Sequence, residues 1–151
     1  MKPSLFAVIV LAVAACDAPP ARNTLSVSFA GGSITSQIAA TGPARDTGLM
    51  NRTMLGANDG MLFVFPSDVD PARIAFWMKD TPIPLSIAFM DAGHRVLDVQ
   101  EMVAFDTITF HRPRTLYRFA LEANKGWFNS HGVAAGATAS FSLPSGLVIS
   151  P

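Results

Sequence analysis

The sequence predicts an α+β fold that is mostly β, a compact small barrel-like or sandwich-like sheet with two short helices. Two observations favour this class. Short segments alternate apolar and polar residues with the period of a strand, and turn-favouring Gly, Asn, Asp and Pro residues separate them. Residues 24–151 are also numerous enough to bury a core as a single globular domain.

The first strands are predicted at residues 25–29 (LSVSF) and 33–39 (SITSQIA), joined by a Gly-Gly turn. Residues 61–65 (MLFVF) are wholly apolar, which is typical of a strand buried on both faces. Further strands are predicted at residues 74–78, 116–120 and 139–143.

A hairpin is predicted after residues 85–90 (LSIAFM), which would pair with the next strand through a three-residue loop at 91–93. This loop would place Ile87 opposite Leu97 on the buried face. A slip of one residue would instead set Ile87 against Asp98, so the apolar pattern favours the first register. The hairpin brings the expected number of strands to seven or eight.

Two short helices complete the predicted fold. Thr41 is suited to cap the first one, and Gly48 would keep it short. Asn124 is predicted to cap the second helix over residues 125–131, which Gly132 would end.

The first sixteen residues, MKPSLFAVIVLAVAAC, are typical of an export signal. Lys2 precedes an apolar run over residues 5–16, which is shorter than the ~20 residues of a membrane-spanning helix. The run ends in Val-Ala-Ala before Cys16, which resembles the lipobox of bacterial lipoproteins. That resemblance implies that diacylglycerol is attached to Cys16 and that cleavage occurs just before it.

We therefore expect a signal peptide over residues 1–15 and an extended, proline-stiffened tether over residues 16–23. The lipid would anchor the protein to the outer face of the bacterial inner membrane, because Asp17 resembles a retention signal in some bacteria. Anchoring in the outer membrane is one alternative. An ordinary cleaved signal peptide, with Cys16 left as a free thiol, is the other.

Charge and motif content restrict the possible functions. Without the signal peptide the chain has ten Lys or Arg and eleven Asp or Glu, which argues against nucleic acid as a partner. His94, His111 and His131 lack ligand spacing and Cys16 is the single cysteine, so we predict no metal centre and no cofactor. The sequence contains no nucleophile elbow, P-loop or dinucleotide-binding motif.

A candidate binding site lies in the stretch AFWMKDTPIPLSIAFMD, residues 75–91. Trp77 could provide a flat stacking surface, while Lys79 and Thr81 could donate hydrogen bonds to a polar or anionic ligand. Asp80 would lie on the other side of this strand end, because side chains alternate along a strand. The alternative is that Trp77 is a core residue, since tryptophan is mostly buried.

Three residues elsewhere extend the candidate site. Arg52 has the planar fork that suits carboxylate or phosphate recognition. Glu122 lies among apolar residues and needs a partner, so an internal salt bridge from Arg52 or Arg45 is the structural alternative. Trp127 is expected to be a packing residue, or else a second aromatic wall opposite Trp77.

Four segments, GLMNRTML, GMLFVF, FWMKDTPIPLSIAFMD and ALEANKGWFNSHGV, resemble the domain-of-unknown-function 192 (UPF0127) family in order and spacing over residues 26–141. The resemblance implies a compact, mostly β domain, often exported or lipid-anchored, with no established activity. In two places the chain differs from the family pattern. Asp80 stands where asparagine is usual, and Ser86 where aspartate is usual.

These observations favour a membrane-anchored cell-envelope protein that binds a small polar or carbohydrate-like ligand. A structural or accessory lipoprotein that docks another envelope protein is the first alternative. The second is a hydrolase of cell-wall or sugar material, in which Asp80 and Glu122 would act as paired carboxylates.

Overall fold

A computed structural model describes residues 24–151, which form six strands and two short helices. The predicted signal peptide, the tether and Cys16 lie outside the described residues. The elements are β1 (Thr24–Phe29), β2 (Gly32–Ala39), α1 (Gly42–Thr47), β3 (Asp59–Val69), β4 (Leu85–Met90), β5 (Val96–Met102), β6 (Tyr117–Asn124) and α2 (Trp127–Ser130).

The six strands form one mixed sheet in the order β1-β2-β3-β6-β4-β5. Strands β2 and β3 are parallel, and the other neighbours are antiparallel. The sheet is not closed, so the sandwich-like form of the prediction is correct and the barrel-like form is not. Single bridges from Ser140 to Ser28 and from Thr138 to Arg95 bring the chain's last segment alongside both sheet edges.

Both faces of the sheet are buried. On one face, which we call the α2 face, Leu62 and Leu121 pack with Phe128 of helix α2. On the other, the α1 face, Phe63 and Phe76 pack with residues around helix α1. Central strands with two buried faces need apolar residues at consecutive positions, which is why the wholly apolar run in β3 was correctly predicted.

The predicted register of the β4–β5 hairpin is wrong. Ile87 lies opposite Gln100 rather than Leu97, and a bulge precedes the pair Met90–Val96. The turn is longer than predicted, since the left-handed residue is His94, with φ 65°. Every residue of β4 is buried, so the apolar alternation could not select the register.

Four further predictions differ from the structure. Residues 74–78 make only a single bridge, Phe76 to His111, and residues 139–143 form no strand of the sheet. Asn124 is the last residue of β6 and does not cap α2, which instead follows the left-handed Gly126. Thr41 precedes α1 as predicted, but its hydroxyl makes no capping hydrogen bond.

Gly48 ends α1 in a backbone conformation, φ 48° and ψ −131°, that is open essentially only to glycine. A Cβ atom at this position would also lie 3.2 Å from the ring of Phe63. Gly48→Ala is therefore expected to lower the free energy of unfolding by about 1 to 3 kcal/mol, measured by urea denaturation. Gly93→Ala is the control, because its Cβ would make a similar contact, 3.3 Å to the Asp91 carboxylate, in an exposed turn without left-handed backbone. It should change stability much less.

Candidate functional site

A groove of about 750 Å³ opens on the α1 face. One wall is helix α1 with the turn that follows it, and the other is the segment over residues 74–81. Phe63 and Phe65 of β3 and Glu122 of β6 lie between these walls. The groove thus combines an aromatic lining with one acidic group contributed by a central strand.

Glu122 is the most unusual residue of the groove. It is only 5% exposed, because β6 lies between β3 and β4 at the centre of the sheet. Among residues 24–151, no hydrogen bond or ion pair reaches its carboxyl, whose oxygens are not fully enclosed because they open on the groove. Burial raises the pKa of Glu122 to about 8, so the carboxyl is mostly protonated at neutral pH.

The predicted salt bridge to Glu122 is not formed. Arg45 lines the groove, but its guanidinium donates hydrogen bonds to the carbonyl oxygens of Ala40, Val64 and Ser150 at 2.8, 2.9 and 2.6 Å. It also lies 4.9 Å from the ring centroid of Phe65. These contacts join the start of α1, strand β3 and the end of the chain. Arg45 therefore supports the wall of the groove.

Arg52 is also directed elsewhere. Its guanidinium donates to the side-chain oxygen of Gln37 at 2.9 Å, and it does not line the groove. The described residues therefore do not support the prediction that Arg52 binds a ligand in this groove.

Trp77 and Lys79 form the outer rim of the groove. Trp77 is 40% exposed, which excludes the alternative that it is a core residue. Its ring stacks on Phe110 with centroids 6.2 Å apart and planes 17° apart. The Lys79 ammonium lies 5.6 Å from the Trp77 ring centroid, within cation–π range. Thr81 is buried beside them, and its hydroxyl donates to the Lys79 carbonyl at 3.0 Å.

Trp127 lies on the opposite side of the sheet from Trp77. It is 5% exposed in the α2-face core, and its indole N–H donates to the Asn58 side chain at 2.9 Å. Because the sheet separates the two tryptophans, Trp127 cannot form a second aromatic wall of the same groove. Trp127 is therefore a packing residue, which is the first of the two interpretations drawn from the sequence.

The aromatic lining of the groove was missed from the sequence. Phe63 and Phe65 were assigned only to the core, yet both contribute to the groove together with Phe76. One signal in the sequence points to the groove. It is the acidic Glu122 within an apolar strand, because a carboxyl in that position needs an unusual environment. No group of three or more potential metal ligands occurs among residues 24–151.

The profile of a family described as "Uncharacterized ACR, COG1430" matches residues 25–141. The chain belongs to this family, DUF192. The match covers all six strands and both helices except the first residue of β1. No curated protein matches the chain in sequence.

Two solved structures are similar to this DUF192 protein. A protein of unknown function from Novosphingobium aromaticivorans DSM 12444 is 30% identical, with a TM-score of 0.66, over 78% of this chain and 83% of that one. A candidate transcription regulator from Sinorhizobium meliloti 1021 is 24% identical, with a TM-score of 0.70, over 78% and 92% of the two chains. Because the second structure is only 24% identical, its similarity to this chain shows a shared fold and nothing about function.

Asp80, one of the two departures from the DUF192 pattern, is explained by its backbone. Its φ is 52°, in the left-handed region, and its carbonyl accepts the N–H of Asn51 at 2.7 Å. The asparagine that the family resemblance implies here is among the residues best tolerated in that region. Asp80 does not line the groove, where the second carboxylate is the exposed Asp46.

Ser86, the other departure, is fully buried outside the groove. Its hydroxyl donates to Glu101 at 2.7 Å and accepts the N–H of Gly126 at 2.8 Å. The residue therefore joins β4 to β5 and to the start of α2. This departure concerns the packing of α2 rather than the groove.

Proposed function

We propose that this protein is a cell-envelope binding module whose groove takes a small polar or carbohydrate-like ligand. Glu122 is the observation that supports the proposal. Its largely buried carboxyl has no hydrogen-bond partner among the described residues, which is costly, and its oxygens open on a groove large enough for a small molecule. A ligand group that pairs with this carboxyl would remove the cost only in the bound state.

The protonated carboxyl of Glu122 offers one O–H donor and acceptor oxygens. Hydroxyl, amide and carboxyl groups of a ligand can match that pattern. At the rim, Trp77 offers a flat face on which a sugar ring or another planar group could stack. The Lys79 ammonium beside it could donate to a ligand oxygen.

The proposal includes membrane attachment through the lipid at Cys16, with the domain held at the outer face of the inner membrane. Two or more acyl chains hold a protein stably on a bilayer, whereas a single chain binds only reversibly. Among residues 24–151, no helix has the length and apolar content needed to cross a membrane. Mass spectrometry of the protein purified from bacterial membranes would detect the lipid on Cys16.

The ligand class can be found from thermal unfolding of the detergent-solubilised full chain with sugars, peptidoglycan fragments, dipeptides and phosphate. Binding to the native state raises stability by about 2.7 kcal/mol at roughly a hundredfold excess over Kd. A shift with one class would identify the ligand chemistry. No shift with any class would remove the support for the binding module and favour an accessory lipoprotein that docks another protein.

We predict that replacing both Trp77 and Lys79 by alanine abolishes the ligand-induced shift while cooperative unfolding is retained. Both side chains are exposed, so their removal leaves no cavity in the core. Lys125→Ala is the matched control, because this lysine lies away from the groove and should leave the shift unchanged. A double variant that binds normally would show that the ligand does not contact the rim.

A hydrolase is the second candidate function, and the raised pKa of Glu122 favours it. A carboxyl that stays protonated near neutral pH can act as a general acid on a glycosidic oxygen. The pairing with Asp80 has no support, because Asp80 lies outside the groove. Release of soluble fragments from peptidoglycan, abolished in Glu122→Gln, would establish the hydrolase. Binding without product release would exclude it.

A further inference from the structure

Residues 103–110, which we call the apolar loop, expose four large hydrophobic side chains. Val103, Phe105, Ile108 and Phe110 are between 55% and 86% exposed. Phe110 stacks on Trp77, so the exposed apolar surface continues from the loop to the rim of the groove. Exposed apolar side chains concentrated in one short loop mark interaction sites more often than scattered single residues do.

The apolar loop is held in place by hydrogen bonds. The Asp106 carboxylate accepts the N–H groups of Ile108 and Thr109 at 2.9 and 3.0 Å. The Asp106 carbonyl accepts the N–H of Met78 at 2.9 Å, and the Phe105 N–H donates to the Thr81 carbonyl at 3.0 Å. The four apolar side chains are therefore presented on a fixed backbone attached to the groove wall.

Phe105 has a strained conformation that packing does not explain. Its φ is 60°, in the left-handed region, which is rare for a bulky residue. Its ring is 63% exposed, so the strain is not offset by burial in the core. Residues held in rare backbone conformations of this kind cluster at functional sites.

The charges around the apolar loop indicate which partner it contacts. Lys79, Arg112 and Arg114 are exposed in the segments that border the loop, where Asp80 is an exposed acid. Glu101, just before the loop, is also exposed, but its carboxylate accepts the Ser86 hydroxyl. The single carboxylate of the loop, Asp106, already accepts two backbone N–H groups. Exposed Phe and Ile side chains with neighbouring cations are typical of surfaces that lie in the interface of an anionic bilayer.

We infer that the apolar loop inserts Phe105 and Ile108 into the interface of an anionic membrane, with Arg112 and Arg114 at the headgroups. This docking is separate from the lipid anchor, because it orients the domain rather than only tethering it. Trp77 lines the groove and also stacks on Phe110. Docking would therefore place the rim of the groove close to the headgroups.

Tryptophan fluorescence of the full chain can test this inference. The protein is reconstituted on vesicles of phosphatidylethanolamine and phosphatidylglycerol, with and without bromine on the acyl chains near the headgroups. We expect bromine to quench the exposed Trp77 and to spare the buried Trp127. The variant Trp77→Phe should show only emission that bromine does not change.

Matched variants locate the contact. Ile108→Ser, alone and with Phe105→Ser, should remove the quenching, because polar side chains no longer favour insertion. Met54 and Val148 are 80% and 70% exposed outside the loop, so Met54→Ser with Val148→Ser should retain it. Arg112→Glu with Arg114→Glu should weaken it.

Two results would overturn the inference. One is the absence of bromine quenching in the unsubstituted protein, and the other is quenching that Ile108→Ser leaves unchanged. If the second result comes with self-association in detergent that Ile108→Ser abolishes, the apolar loop contacts a second copy of the chain.

Discussion

Replacement of Glu122 by glutamine is expected to stabilise the protein at about pH 8 by a few kcal/mol and to have much less effect at about pH 5. Burial raises the pKa of the folded-state carboxyl from 4.5 to about 8. Glutamine has nearly the same shape and cannot ionise. The variant therefore avoids the cost of holding a proton that the unfolded chain has released or, at higher pH, of burying a negative charge.

The direction of the pH effect follows from proton binding. Below about pH 4.5 the carboxyl is protonated in both the folded and the unfolded state. Glu122 therefore contributes no pH dependence to the free energy of unfolding in that range. Between about pH 4.5 and 8 the folded state holds a proton that the unfolded chain has released. The free energy of unfolding therefore falls as pH rises through this range, by at most about 1.4 kcal/mol per pH unit. Above it both states are ionised and the loss is complete.

Urea denaturation of the two proteins across this pH range measures the effect. The difference between Glu122→Gln and the unsubstituted protein should grow steadily as the pH rises. Asp46→Asn is the matched control, since Asp46 also lines the groove but is exposed. Parallel pH profiles for Glu122→Gln and the unsubstituted protein would mean that the carboxyl has a partner. The proposed ligand-binding role of Glu122 would then lose its support.

Replacement of Arg45 by alanine is expected to lower the free energy of unfolding by about 3 kcal/mol or more. Its three hydrogen bonds to backbone carbonyls join α1, β3 and the end of the chain. Hydrogen bonds to charged groups contribute about 1.5 to 3 kcal/mol each. Arg45→Lys should recover only part of the loss, because an ammonium cannot reproduce the planar fork of the guanidinium.

Arg118 is the matched control for Arg45. It forms an ion pair with Asp68 at 2.9 Å, with both side chains partly exposed. Exposed ion pairs contribute about 0 to 1 kcal/mol, so Arg118→Ala should cost much less than Arg45→Ala in the same denaturation experiment. Equal losses would contradict the structural role assigned to Arg45.

Arg45 shows why charge pairing is a poor guide to the site. Arg45 lies beside the groove and loses solvation there, which lowers the pKa of its guanidinium. Backbone carbonyls nevertheless satisfy it, and the buried acid close by is left without a partner. The protonated carboxyl of Glu122 thus offers the groove a hydrogen-bond donor and acceptor oxygens that no other described residue uses. This is the basis of the proposed binding function.

Local sequence patterns determined the class of the fold, the first two strands, the buried third strand and the short first helix. They succeeded because alternation, apolar runs and turn residues act over a few neighbouring positions. The same patterns, as four ordered segments, were sufficient to indicate the family. The exposure of Trp77 was also favoured by the polar residues that surround it in the sequence.

Only the tertiary structure decided which side chains share the groove. Glu122 became buried because β6 inserts between β3 and β4, two strands that are distant from it in the sequence. Trp127 lies on the far side of the sheet from Trp77 because helix α2 packs on that face. The β4–β5 register was decided by the turn at His94, since both faces of β4 are apolar. Periodicity specifies the face to which a side chain points, but its partners depend on long-range strand pairing.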